Sequence, residues 1–189
     1  MFPKDKNLIK LCSEAGLFHD LGKHCIHKDI LNSTLSKFEI PIDEKHKKEI
    51  EKNRKKIETE MNKHPICTKE LLDKYFFPKE YNCNKCEKNF PTICGDHHEK
   101  LDGSGYPKNK IKENICIITQ IITVCDIYDA IRSARPYEGS ESHNKAMQAL
   151  KSMANNNKVN KNIVLKLEKI NIPEIWIYNY KEKLQKEEW

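Results

Sequence analysis

An apolar run past the middle of the chain, ICIITQIITVCDIYDAI at positions 115–131, limits the folds open to this sequence. Its many β-branched residues favour strands by intrinsic propensity. However, the run is longer than a usual strand of about five to six residues. It is also apolar on all sides, as is typical of a helix at the centre of a core. We therefore predict a buried central helix, which places the chain among all-α proteins.

The composition favours a single helix-rich domain spanning residues 1–189. The chain has 189 residues, and one domain commonly holds about 100–200. Charged residues make up 33% and hydrophobic residues 38% of the chain, a balance that favours a folded protein over a disordered one. Its six glycines are too few for the many tight turns of a β-sandwich or barrel. We therefore predict a single-domain helical bundle.

Amphipathic segments predict further helices on both sides of the central run. Apolar residues recur at helical spacing over Leu8–Phe18, and this helix should end near Gly22, before a loop that reaches Pro41. Asp43 is the predicted N-cap of a polar helix whose apolar stripe includes His64, so this histidine should point inward. Other helices are predicted at residues 67–76, 142–154 and 159–170, with C-terminal helices continuing to residue 189; segment 78–94 should be irregular.

Charge and hydropathy restrict the partners and the location. The formal net charge of +6 comes from 34 Lys plus Arg and 28 Asp plus Glu. This mild positive field suits a polyanionic ligand such as a nucleotide, but it does not indicate a nucleic-acid polymer. No apolar run reaches the roughly 18–20 residues that cross a bilayer, and the first residues lack a signal-peptide core. We therefore expect a cytoplasmic protein with no membrane segment.

The chain contains eight cysteines. In a cytoplasmic protein we expect reduced thiols, with metal binding as the exception. Cys83, Cys86 and Cys94 form a C-x2-C-x7-C pattern, but a structural zinc needs a fourth ligand, and none is obvious in the sequence. Chance spacing in a cysteine-rich chain is the favoured interpretation, and a zinc site is the alternative.

Histidines and aspartates in short motifs carry the chemistry. They are the adjacent pair His19–Asp20, His64 before a proline, the adjacent pair His97–His98, and Asp126 in the central apolar run. A buried carboxylate such as Asp126 is costly unless it is paired or binds a metal. This mixed nitrogen and oxygen set suits iron, manganese, zinc or cobalt. Two such ions, bridged by an aspartate, form a site that can hydrolyse phosphodiesters.

Four segments occur in order across about residues 8–150: LFHDLGK, HPICTKELL, HHEKLDGSGYP and DIYDAIRSARPY. Together they resemble the HD-GYP branch of the HD phosphohydrolase superfamily, and the HHE-x-x-DGSGYP element is highly specific. The resemblance implies an all-helical domain with a centre of two or three metals. We expect two divalent ions, iron or manganese first, with zinc, cobalt or nickel as alternatives. The implied reaction converts cyclic di-GMP or a related cyclic dinucleotide to a linear product.

The resemblance also implies a role for each site residue. The metal ligands would be His19, Asp20, His64, His97, His98 and Asp126, with Asp20 bridging two ions. Lys23 would hold a phosphate and stabilise charge in the transition state, so Asp20 and Lys23 are the predicted catalytic residues. Tyr106 and Arg135 match residues that contact the dinucleotide. The GYP loop is implicated in docking partners such as diguanylate cyclase (GGDEF) domains.

Four positions depart from the family pattern. No histidine precedes His19 in this sequence, although family members carry a further ligand on an upstream helix, so we expect that helix and one metal ligand to be lacking. Glu138 replaces a basic residue near the substrate phosphate, Thr68 replaces a glycine, and His27 replaces a proline. A catalytically degenerate module that binds metal, nucleotide or a partner protein is therefore the alternative to an active phosphodiesterase. A (p)ppGpp-type hydrolase is disfavoured because such enzymes do not need the GYP element.

Overall fold

The computed structural model describes residues 6–31, 43–75, 82–83, 88–132 and 143–170. Helices dominate these residues, so the predicted all-α class is confirmed. The chain divides into two compact units between Thr123 and Val124. Among the helices within the described ranges, none is long and apolar enough to cross a membrane.

The first unit contains most of the helices. In chain order they are α1 (Lys6–Phe18), a 3₁₀ turn (Leu21–Cys25), α2 (Lys28–Leu31), α3 (Glu44–Met61), α4 (His64–Tyr75), α5 (Phe90–Gly95), a second 3₁₀ turn (Lys112–Asn114) and the start of α6 (Ile117–Arg132). Between α4 and α5, the two-residue strands β1 (Asn82–Cys83) and β2 (Lys88–Asn89) pair antiparallel.

The core of the first unit joins α1, α4, α5 and the start of α6. Leu11 and Ala15 face it from α1 at the i, i+4 spacing that places two side chains on one face of a helix. Leu72 of α4 and Phe90 of α5 are fully buried in the same cluster. Burying a side chain of this size stabilises the fold by about 1.5–3 kcal/mol. This packing fixes the helix ends at which the histidine motifs begin.

The helix predicted from the central apolar run is confirmed as α6. Ile118 and Ile122 are buried in the core of the first unit. The hydroxyl of Thr119 donates to the Ile93 carbonyl at 3.0 Å, and that of Thr123 lies within hydrogen-bond distance of two carbonyl acceptors, Thr119 at 2.9 Å and His97 at 2.7 Å. The threonines tolerate burial because their hydroxyls find main-chain acceptors. Burial on several sides of the helix therefore outweighs the strand propensity of its β-branched residues.

His64 is buried as predicted, but on a different helix. The polar helix α3 ends at Met61, and His64 is the first residue of α4. Pro65 explains the break, because proline is tolerated in the first turn of a helix and disrupts a helix interior. The inward orientation of His64 therefore comes from the start of α4 and not from the stripe of α3.

Two segments predicted as irregular contain helices. Residues 28–31 form the single turn α2, and residues 90–95 form α5. The side chain of Asn89 caps α5 by accepting from Thr92 N at 3.1 Å, and Pro91 occupies its first turn. The prediction missed α5 because a helix of six residues is too short to show amphipathic periodicity.

The expectation of reduced thiols is wrong for Cys25, Cys67 and Cys116, which are disulfide-bonded. Cys25, in the first 3₁₀ turn, and Cys67, in α4, form a disulfide across a sequence separation of 42. Among the described cysteines, Cys94 and Cys125 carry free thiols. The disulfide joins the segment that follows His19 and Asp20 to the helix that begins at His64.

The second unit begins at Val124 and includes α7 (His143–Asn155) and α8 (Lys161–Glu168). These helices pack together and occur where the sequence predicts helices. Met147 and Leu150 of α7 and Val164 of α8 are buried. Asn160 caps α8 by accepting from Asn162 N at 3.0 Å. The C-terminal helix predicted beyond residue 170 lies outside the described residues.

Candidate metal centre

His19 and Asp20 lie in the short connection between α1 and the first 3₁₀ turn. This connection packs directly against the start of α4. Gly22 allows the close approach: a Cβ atom there would lie 2.0 Å from the His64 carbonyl oxygen and 2.4 Å from Thr68 N. The Thr68 hydroxyl accepts from Gly22 N at 2.8 Å and donates to the His19 carbonyl at 3.0 Å. The HD motif is therefore held against the helix that carries His64.

Three of the candidate ligands share one supporting contact. In each, the ring Nδ1 faces the main-chain carbonyl three residues earlier, at 2.6–2.7 Å: His19 with Gly16, His64 with Met61, and His97 with Cys94. A carbonyl oxygen only accepts, so Nδ1 must donate and, in the neutral ring, Nε2 keeps a free lone pair. A backbone carbonyl bonded to the second ring nitrogen is a common support of metal-ligating histidines.

The ligand atoms converge on a small space. His64 Nε2 lies 3.2 Å from His97 Nε2 and 3.1 Å from His98 Nε2. Asp20 Oδ1 lies 3.3 Å from His64 Nε2, and Asp20 Oδ2 lies 3.4 Å from His19 Nε2. Within the described ranges, the groups able to hold an ion are His64, His97 and His98, and His19, Asp20 and His97, with all ligand atoms of a group within 4.8 Å of one another.

Electrostatics favour a charged aspartate and a neutral histidine. Burial alone would raise the pKa of Asp20, but the neighbouring side chains of His19, His64 and Lys23 outweigh it and hold that pKa well below its usual range. Burial lowers the pKa of His97 to about 4, against the opposing effect of its bond to Cys94. Near neutral pH the site therefore offers a carboxylate and an unprotonated imidazole, the forms that bind metal ions.

The donor set fits divalent metal ions. His64 Nε2 and His97 Nε2 face each other at 3.2 Å, and in the neutral rings neither nitrogen carries a hydrogen. Two lone pairs at this distance repel unless a cation lies beside both. Four imidazoles and one carboxylate are the mixed ligands that iron, manganese, zinc and cobalt accept. Asp20 directs its two oxygens at different histidines, as a residue bridging two ions would.

Of the other predicted site residues, Lys23 and Tyr106 contact candidate ligands. Lys23 Nζ contacts Asp20 Oδ2. The Tyr106 ring stacks on His98, with ring centroids 4.7 Å apart and planes inclined by 27°. Asp126 is a partly buried residue of α6 in the second unit, and its part in the centre stays a prediction. Arg135 lies outside the described residues.

Several supporting residues were not predicted from the sequence. Thr68 departs from the family pattern, and its hydroxyl joins the HD connection to α4. Thr123 donates to the His97 carbonyl at 2.7 Å. Asp96 and Glu99 flank the adjacent histidines and are both buried. The sequence shows that two acidic residues lie within the motif, but it does not predict which groups they contact.

Of the three cysteines in the C-x2-C-x7-C pattern, the described side chain is that of Cys94. Cys94 is buried, and burial raises the pKa of its thiol to about 12, so this sulphur is protonated at neutral pH. A zinc ligand must instead be a thiolate. Cys86 and the side chain of Cys83 lie outside the described residues.

The sequence profile of the HD domain family matches residues 12–163. The chain is 30% identical over 149 residues to a cyclic di-GMP phosphodiesterase of Pseudomonas aeruginosa, covering 78% of this chain and 29% of the relative. It is also 30% identical over 145 residues to the cyclic di-GMP phosphodiesterase response regulator RpfG of Xanthomonas campestris, covering 75% and 32%.

A third relative is a 3′3′-cGAMP-specific phosphodiesterase of Vibrio cholerae, 43% identical over 60 residues, covering 32% of this chain and 13% of the relative. The chain thus spans less than a third of the length of these relatives. With the profile match, the HD pair and the intact GYP element, the chain belongs to the HD domain family and to its HD-GYP branch.

Proposed function

We propose that this chain is a metal-dependent phosphodiesterase that hydrolyses a cyclic dinucleotide, cyclic di-GMP first, to a linear product. One observation carries the proposal: the Nε2 atoms of His64, His97 and His98 converge, while carbonyl contacts orient the rings of His64 and His97. The relatives named for cyclic di-GMP and 3′3′-cGAMP hydrolysis support the substrate class.

The proposed metal ligands are the five converging side chains together with Asp126. We propose two divalent ions, iron or manganese, with Asp20 between them. Bound ions would supply an activated water and would stabilise charge on the phosphoryl oxygens. The donor atoms of His19, Asp20, His64, His97 and His98 lie in two overlapping groups that share His97, which agrees with a site for two ions.

The remaining residues would bind and orient the substrate. Lys23 lies beside Asp20, where its ammonium group would offset the charge of a phosphate. Tyr106 presents a ring surface next to His98, and a flat aromatic ring is suited to contact with a base or ribose. Arg135 is proposed as a second phosphate contact. The proposal places these residues in a bacterial, cytoplasmic signalling protein whose GYP loop docks a GGDEF domain.

A product assay tests the proposal directly. Protein purified without oxygen and loaded with iron or manganese should convert cyclic di-GMP to its linear form, and 3′3′-cGAMP more slowly. Chelator-treated protein is the control and should be inactive. If both dinucleotides stay intact with either metal, the chain is not a phosphodiesterase. If calorimetry then shows that the intact dinucleotide binds, the chain is the catalytically degenerate module.

A further inference from the structure

Glu99 directly follows the two adjacent histidines, and its carboxylate holds a later part of the same loop. The residue is 1% exposed. Its Oε1 accepts from the main-chain N–H of Lys108 at 2.7 Å, and its Oε2 accepts from that of Lys110 at 2.8 Å. Both N–H groups come after Tyr106 in the chain. One buried side chain therefore closes the loop that carries Tyr106.

Asp96, on the other side of the histidine pair, holds the same loop at a second point. It is 3% exposed, and its Oδ2 contacts Lys110 Nζ. Lys110 is thus held at its main chain by Glu99 and at its ammonium group by Asp96. Hydrogen bonds to charged groups are stronger than those between neutral groups. The two carboxylates, one before and one after the histidine pair in the sequence, therefore anchor residues 108–110.

The loop between these anchors lies close to its own start. A Cβ atom at Gly105 would lie 2.2 Å from Lys100 N and 2.5 Å from Glu99 Cα, so only glycine fits there. Tyr106 N donates to the His98 carbonyl at 3.3 Å. The Asn109 side chain donates to the Gly105 carbonyl at 2.6 Å. These contacts set the main chain on both sides of Tyr106, whose ring stacks on His98.

We propose that Glu99 is a positioning residue: by holding the main chain at Lys108 and Lys110 it fixes Tyr106 against His98 before the nucleotide arrives. A contact that is ordered in advance lowers the conformational cost of binding. The substrate contact of Tyr106 rests on the proposed function. The hydrogen bonds of Glu99 go to the loop, so its loss should weaken nucleotide binding and leave the metal content unchanged.

The variant Glu99→Gln tests the positioning role, because an amide keeps the size of the side chain but can accept only one of the two N–H groups. We expect hydrogen exchange of the Lys108 or Lys110 amide to become about tenfold faster or more, as a hydrogen bond to a charged group is lost. The matched control is Glu113→Gln, an exposed residue of the second 3₁₀ turn, which should leave exchange unchanged. Unchanged exchange in Glu99→Gln overturns the proposal.

Kinetics separate positioning from a general loss of structure. In Glu99→Gln we expect KM for cyclic di-GMP to rise about tenfold while kcat changes less than about twofold, with wild-type metal content. A fall in kcat with unchanged KM contradicts the role in nucleotide binding. If wild-type protein proves inactive, the proposed function fails, while hydrogen exchange still decides whether Glu99 holds the loop.

Discussion

At the scale of single residues, the orientation of the imidazole rings decides what this site can bind. A histidine offers Nε2 as a ligand when Nδ1 carries the hydrogen. His19, His64 and His97 each meet this condition through a carbonyl three residues earlier. All three carbonyls belong to the last turn of a helix, where main-chain carbonyls have no acceptor role in a continuing helix and can contact side chains. The helix ends therefore prepare the histidines for metal binding.

Asp20 should prove indispensable for metal binding. Replacing it by asparagine keeps the shape but removes the charge, and a neutral amide does not bridge two cations. We expect Asp20→Asn to lose at least one bound ion per chain and to lower phosphodiesterase activity at least about a hundredfold. Metal analysis by mass spectrometry, together with the product assay, checks both effects.

Asp29→Asn is the matched control for this substitution. Asp29 lies nine positions later, its side chain is 89% exposed, and it pairs with the exposed His27. Exposed ion pairs contribute little to stability, so metal content and activity should stay at wild-type values. Equal metal content in Asp20→Asn and wild-type protein would remove Asp20 from the centre.

At the scale of helices and turns, the close approach of the first 3₁₀ turn to α4 brings the HD motif to His64. Gly22 makes that approach sterically possible, and Thr68 supplies the hydrogen bonds across it. The disulfide between Cys25 and Cys67 connects the same two elements. The position of the HD motif relative to His64 therefore depends on this contact between a turn and a helix.

Two glycine substitutions test this contact. In Gly22→Ala the new Cβ would lie 2.0 Å from the His64 carbonyl, so we expect a loss of about 3 kcal/mol of unfolding free energy. Gly16, within α1, has no atom within 4 Å of the position of a new Cβ. There alanine should stabilise the protein by about 0.5–1 kcal/mol, because a helical glycine is costly. Chemical denaturation measures both changes, and similar stabilities of the two variants would contradict the close approach.

At the scale of the whole molecule, metal binding should couple to folding. The candidate ligands come from the connection after α1, from α4 and from the residues after α5, so they converge only in the folded chain. A ligand that binds only the folded state, at about 100 times its dissociation constant, stabilises it by about 2.7 kcal/mol. For a protein of this size, that corresponds to a rise in melting temperature of roughly 5–10 °C.

Calorimetry of metal-free protein with and without Mn²⁺ measures this rise. Asp20→Asn should show a clearly smaller one. An equal shift in both proteins would indicate that the ion binds elsewhere, and no shift in wild-type protein would contradict a metal centre under these conditions.

Hydropathy, composition and motif order are enough to predict the all-α class, the central helix and the membership of the HD domain family. The sequence also selects His19, Asp20, His64, His97 and His98. That one domain spans residues 1–189, and that Asp126 and Arg135 belong to the site, stay predictions.

How the selected residues meet is visible in the folded chain alone, because their meeting depends on long-range contacts. The 2.8 Å bond between Gly22 and Thr68 spans 46 positions, and no local pattern encodes such a pairing. Three other features also depend on long-range contacts. They are the helix that carries His64, the disulfide between Cys25 and Cys67, and the hydrogen bonds of Glu99 to Lys108 and Lys110. Propensity acts over a few neighbouring residues, whereas burial and hydrogen bonding depend on which segments pack together.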